Sequence, residues 1–141
     1  MPDLKVLTRD VVTGRLTPGI SRPPQTVEGI ELLVQIVVLL YLNNGGRSIF
    51  APGRAGGLRE FIGLNFDPDD PSELFADLRL MTSRIEQMIK EEQEKTNRSA
   101  SERLLSLNLL DIIPDDVNPE IEIVVQVINE EQQTSQAVVV V

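Results

Sequence analysis

Three hydrophobic patterns divide the chain. Between Val27 and Leu42, Ile30, Leu33, Val34, Val37 and Tyr41 recur every three or four residues, and Leu32, Ile36, Leu39 and Leu40 widen the stripe. This predicts a helix buried nearly all round, with Thr26 as its N-cap and Asn43-Asn44-Gly45-Gly46 supplying a left-handed C-cap. The β-branched content of Val34 to Leu42 competes for a buried strand, but the length of the run between two good caps favours helix. Next, Leu74, Leu78, Met81, Ile85 and Met88 place one apolar stripe along a long helix ending near Lys95. Its start reads as Asp70 at the N-cap, Pro71 at N1 and Glu73 closing a capping box. Its outer face carries Asp77, Arg84, Glu86, Lys90, Glu91, Glu92 and Glu94, a solvated face. The third pattern is alternation: Leu105, Leu107 and Leu109 around Ser106 and Asn108, then Ile121, Ile123, Val125 and Val127 around Glu122, Val124 and Gln126. With a final run from Ala137 to Val141, and polar connectors at 114–119 and 129–136, these read as half-buried antiparallel strands. The expected fold class is therefore α+β, a buried helix plus a long amphipathic helix packed on a small antiparallel sheet.

The flanking segments carry less pattern. Residues 1–26 hold two short β-like runs, Leu4 to Leu7 and Val11 to Val12, followed by Gly14, Pro18, Gly19, Pro23 and Pro24. They read as an extended arm or edge hairpin with little core of its own, set before a domain spanning 27–141. Arg47 to Gly57 is a glycine-rich loop, and Leu58 to Leu64 a short amphipathic helix. The loop lacks the Gly-x-x-x-x-Gly-Lys-Ser/Thr order of a phosphate cradle. Asp67, Asp69 and Asp70 resemble a calcium loop, but Pro68 and Pro71 break the ligand spacing and no bidentate Glu follows.

Composition narrows the chemistry further. The 141 residues fit one domain, and 41% hydrophobic with 25% charged residues is ordinary for a globular chain. There is no cysteine and no histidine, which excludes disulfides, thiol nucleophiles, Cys/His zinc sites and imidazole acid–base catalysis. No cofactor or metal is expected. The net charge of −9 is uneven: residues 1–62 hold seven Lys/Arg against five Asp/Glu, and residues 63–141 hold six against seventeen. An acidic chain repels phosphate, so no nucleic-acid partner is expected, and the polarity suits neighbour contacts in an assembly. The run from Leu32 to Leu42 is far shorter than the roughly 20 residues of a membrane span, and Met1 to Asp10 lacks an apolar signal stretch. The expectation is a protein made in the cytoplasm, with no membrane partner.

Taken in order, several motifs resemble the baseplate wedge and sheath-initiator family of contractile phage tails and related injection systems, including type VI secretion, once labelled tail lysozyme. They are the helix Glu28 to Leu42, Gly45-Gly46-Arg47, Pro52, Gly57-Leu58, the stretch Leu64-Asn65-Phe66-Asp67-Pro68-Asp69-Asp70, the long helix, and Arg103-Leu104 before alternating strands. The resemblance covers roughly Val27 to Val141. Family members carry Gly-Glu-Arg after the first helix and Glu-Pro-Arg before the sheet. Here Gly45 and Arg47 match the first with Gly46 in place of Glu, and Arg103 matches the second with Ser101 and Glu102 where Glu and Pro stand.

What the resemblance implies is a non-enzymatic subunit of a virion tail baseplate, present in multiple copies around a sixfold ring. It would contact other wedge subunits and present β-strands to the tail sheath protein. The partner-binding residues implied are Arg103, Glu102 and Arg47. To these the chain adds Val138, Val139, Val140 and Val141, whose apolar edge invites β-augmentation. Two other functions stay in view. A peptidoglycan-cleaving tail lysozyme needs paired carboxylates, which seventeen acids in residues 63–141 supply by chance, but sugar-stacking aromatics are scarce at 4% with no tryptophan. The other is an adaptor unrelated to tails.

Overall fold

The computed structural model describes residues 3–9, 15–19, 25–42, 72–114 and 121–140. In chain order the elements are β1 (Asp3–Leu4), β2 (Leu7–Arg9), β3 (Leu16–Pro18), β4 (Thr26–Val27), α1 (Gly29–Leu42), α2 (Ser72–Glu94), a 3₁₀ turn (Ala100–Glu102), β5 (Leu104–Pro114), β6 (Ile121–Asn129) and β7 (Thr134–Val140). The α+β expectation holds, with two α-helices and a three-stranded antiparallel sheet ordered β5-β6-β7 among the described residues. The segments at 43–71, including the Asp70 cap, Pro71 and the Leu58 to Leu64 helix, lie outside the described residues, as does the Val11 to Val12 run.

β6 sits between its neighbours and alternates strictly, burying Ile121, Ile123, Val125, Val127 and Asn129. α1 packs against β6 and β7, and α2 against β5. One core joins Leu33, Val34, Val37, Val38, Leu40 and Tyr41 of α1 to Leu74, Leu78, Met81, Ile85 and Ile89 of α2 and to the inward residues of the sheet. The strand alternative for Val34 to Leu42 is excluded, because that segment is helical throughout.

Thr26 does not cap α1. Thr26 and Val27 form β4, pairing with Leu4 and Asp3, and the helix begins at Gly29, whose φ of +65° turns the chain out of the strand. The cause is long-range: residues near the chain's start satisfy the backbone groups that a local reading assigned to a helix.

The core-facing set of β5 also differs from the expected one. Leu105 is exposed and Leu104 buried, because register shifts fall between Leu104 and Ser106 and between Leu109 and Asp111. Each β-bulge adds one residue and reverses the side-chain parity. Leu104, Leu107, Leu109 and Ile112 therefore oppose Asn129, Val127, Val125 and Ile123, while Leu105 and Leu110 are the extra residues turned out. β7 starts at Thr134, three residues before the expected Ala137. The turn before it is closed by Gln133 N–H donating to Asn129 Oδ1 at 2.8 Å, with Gln132 held at φ +62°.

Residues 3–9 and 15–19 are tied to this body. β2 and β3 form an antiparallel pair, and Leu7 and Leu16 are buried within the common core. The amide of Gln35, buried on α1, accepts from Val6 N–H at 2.9 Å and donates to the Leu4 carbonyl at 3.0 Å.

Candidate interaction surfaces at the helix ends and sheet edges

Glu102 and Arg103 occupy the bend between the 3₁₀ turn and β5, and each addresses one helix end. Glu102 is 4% exposed, and its Oε1 accepts the Gly29 N–H at 3.4 Å. The first turn of a helix has backbone donors without intrahelical acceptors and a partial positive charge, so a carboxylate there is stabilised. Arg103 turns the other way. Its Nε donates to Glu130 Oε2 at 3.0 Å and its NH1 to the Gln93 carbonyl in the last turn of α2 at 3.4 Å. A cation beside those carbonyls complements the opposite end of the helix dipole. The two adjacent residues thus clamp the start of α1, the end of α2 and the β6–β7 turn to the head of the sheet. Arg103 thus bonds a carboxylate and a carbonyl within the same chain, with Glu130 as its described acidic partner.

Two amides that periodicity did not single out complete the junction. Gln93 lies on the buried stripe of α2, four residues past Ile89, and bonds Leu104 in both directions: Leu104 N–H donates to Oε1 at 2.8 Å, and Nε2 donates to the Leu104 carbonyl at 3.1 Å. Asn129, fully buried, donates to the Ser101 carbonyl at 3.0 Å and to Gln133 Oε1 at 2.9 Å, and its Oδ1 accepts from Gln133 N–H. Both protons of its amide are used, as burial demands. The available signal was a polar residue in phase with an apolar stripe or strand face. Thr82 gives the same signal. Its hydroxyl donates to the Leu78 carbonyl at 2.8 Å and so accepts from the buried Tyr41 hydroxyl. Burial pushes the Tyr41 phenol up to about 12, against the lowering effect of the Thr82 bond.

The sheet has two outer edges. On β7, Val139 is in the core, while Val138 and Val140 are half-buried on the other face. β7 pairs with β6 from Glu122↔Val140 to Ile128↔Thr134, as expected of the C-terminal run. Its outer side is not wholly open to another chain. Arg15 forms a parallel bridge to Val138, and its guanidinium reaches Glu122. The edge expected to receive strands of a partner is thus partly covered by the chain's own early residues, because Leu7 and Leu16 are anchored in the core beside it. On β5, Leu105, Leu110 and Ile113 are 45%, 42% and 45% exposed, and β6 is the strand's one partner among the described residues. Arg47 and Val141 lie outside the described residues.

No group of three or more His, Cys, Asp or Glu side chains suited to a metal ion occurs among the described residues. Comparison of the chain with protein-family models, curated proteins and solved structures found no match.

Proposed function

We propose that this chain is a structural subunit of a contractile-tail baseplate that receives a strand of a neighbouring protein, the sheath subunit in the first instance, along the outer edge of β5. The observation that carries the reading is that edge: a strand of eleven residues, occupied at Leu104 by the Gln93 amide but without a strand on its outer side among the described residues, and lined by exposed Leu105, Leu110 and Ile113. Unpaired backbone groups supply affinity in strand addition, and outward apolar side chains supply register. The bulges at Leu105 and Leu110 keep the isolated edge from templating indiscriminate pairing while turning two leucines toward an incoming chain. The motif order ending in Arg103-Leu104 supports the tail assignment, since this arginine braces the start of that strand.

The choice of β5 over the C-terminal valines follows from Arg15, which already sits on the β7 edge at Val138. The test is Leu110→Lys with Ile113→Lys. Both positions are exposed, so stability changes by no more than about 0.5 kcal/mol each, while two charges on the edge oppose strand addition. Tails assembled with this variant should carry tubes without sheath. Sheath of normal length on such tails would overturn the proposal.

A further inference from the structure

Leu80 stands out of phase with the rest of α2. The buried stripe of the helix runs through Leu74, Leu78, Met81, Ile85 and Ile89, whereas Leu80 is 70% exposed, more than any other large apolar side chain among the described residues. Four exposed residues surround it on the same face: Ala76, Asp77, Ser83 and Arg84. At about 100° per residue, Asp77 and Arg84 lie about 60° and 40° to one side of Leu80, and Ala76 and Ser83 about 40° and 60° to the other. The side chains of Asp77 and Arg84 have no ion-pair partner among the described residues. The other arginine nearby is engaged, since the Arg79 guanidinium sits 4.7 Å from the centre of the Phe75 ring. The face thus presents an apolar centre, two small residues on one flank, and an unpaired acid and base on the other.

We infer that this face of α2 is a self-association surface, on which a second copy of the chain docks its own α2 antiparallel about a two-fold axis beside Leu80. In such an interface the same patch serves both copies, so every contact between two different residues forms twice. With the axis at Leu80, a residue a given number of positions after it faces the residue the same number before it in the second copy. Arg84, four after, therefore meets Asp77, three before, with an axial offset of about 1.5 Å. The rotation keeps each flank on its own side, so the two ion pairs form on one flank while Ala76 meets Ser83 on the other. Small side chains there let the helices approach, and the two leucines meet at the centre and leave water. The charge pattern commits the face to a copy of this chain, because acid and base are placed to satisfy each other only across a two-fold. The contact spans about two and a half helical turns, less than a standard interface of about 1,600 Å², so the dimer is weak. The net charge of −9 on each copy opposes it until salt screens the repulsion. The surface lies on α2 away from the core-facing stripe, and the inference does not depend on the baseplate reading.

A charge exchange between two copies tests this in a way that a contact elsewhere could not pass. Sedimentation equilibrium of the full-length chain at about 0.15 M salt should show dimer growing with concentration between about 10 μM and 1 mM. Asp77→Arg alone sets two pairs of positive charges across the axis, and Arg84→Asp alone two pairs of negative charges. Each should weaken the dimer about tenfold. Mixed in equal amounts, the two variants regain both opposite-charge pairs in the heterodimer, and the mixture should associate about as strongly as the parent chain. Leu80→Lys should leave a monomer throughout. All three positions are exposed, so the variants keep their fold, which far-ultraviolet circular dichroism checks. A parent chain that stays monomeric up to about 1 mM, a dimer that Leu80→Lys leaves intact, or a mixture no more associated than its two components would each overturn the inference.

Discussion

Replacing Gln93 with alanine tests the junction where α2 hands the chain to the sheet. In the folded protein its amide makes two bonds to the backbone of Leu104, at 2.8 and 3.1 Å, and Leu104 is 1% exposed. Gln93→Ala leaves one buried N–H and one buried C=O without these partners, and each such group costs about 1–3 kcal/mol. The sum is about 2–6 kcal/mol if the site stays dry. A cavity of about 30 Å³ already borders Gln93, beside Leu33 and Ile89, so a water admitted there recovers part of the loss. We therefore expect a loss of about 2–4 kcal/mol, a large share of the roughly 5–15 kcal/mol of a small domain. Urea unfolding followed by far-ultraviolet circular dichroism measures it, since the chain has no tryptophan. Amide exchange locates it, because Leu104 N–H should lose protection ahead of Val125 in the centre of β6. An unchanged midpoint with Leu104 still protected would refute the role assigned to Gln93.

Tyr41→Phe removes one buried donor while Thr82 keeps its bond to the Leu78 carbonyl, so we expect a loss of about 0.5–1.5 kcal/mol near neutral pH. The phenol titrates near 10 when unfolded and is pushed up to about 12 when folded, so its contribution is complete below pH 10 and is lost as pH rises through 12. Stability curves of the two proteins should approach each other over that window, and parallel curves would contradict the burial of the hydroxyl. Gln132→Gly should raise stability by about 0.5–1 kcal/mol by relieving the left-handed residue of the β6–β7 turn, and no rise in melting temperature would show that the strain is absent. Val37→Asp places a charge where Val37 has no exposure, and a loss of several kcal/mol or failure to fold is expected; unchanged melting would mean that α1 is open on that side.

Periodicity carried the helices and strands because each buries one contiguous face, and Val34, Val37 and Tyr41 are as enclosed as their spacing requires. It failed where one residue more or less changes the phase. The bulges in β5 exchange Leu105 for Leu104 as a core residue, and nothing in Leu104-Leu105-Ser106-Leu107 announces which leucine is extra. It failed again where distant segments meet: Thr26 looks like a cap until Leu4 pairs with it, and the C-terminal valines look unguarded until Arg15 reaches Val138. Arg103 was singled out in the sequence only by a motif, and its described partners, Glu130 and the Gln93 carbonyl, lie 27 residues after and 10 residues before it, where no local pattern points. The clamp formed with Glu102 on the two helix ends needed the fold to be seen.

The most direct measurement of the central claim is an electron cryomicroscopy map of a sheathed contractile tail assembled with this chain, read at the outer edge of β5. The account expects density for a fourth strand from the first sheath disc, hydrogen-bonded along the edge of β5 beyond Leu104, whose own N–H and C=O are held by Gln93, and packed on Leu105, Leu110 and Ile113. A map in which this chain occupies the baseplate with that edge bare, or in which the chain is missing from the tail, would contradict it.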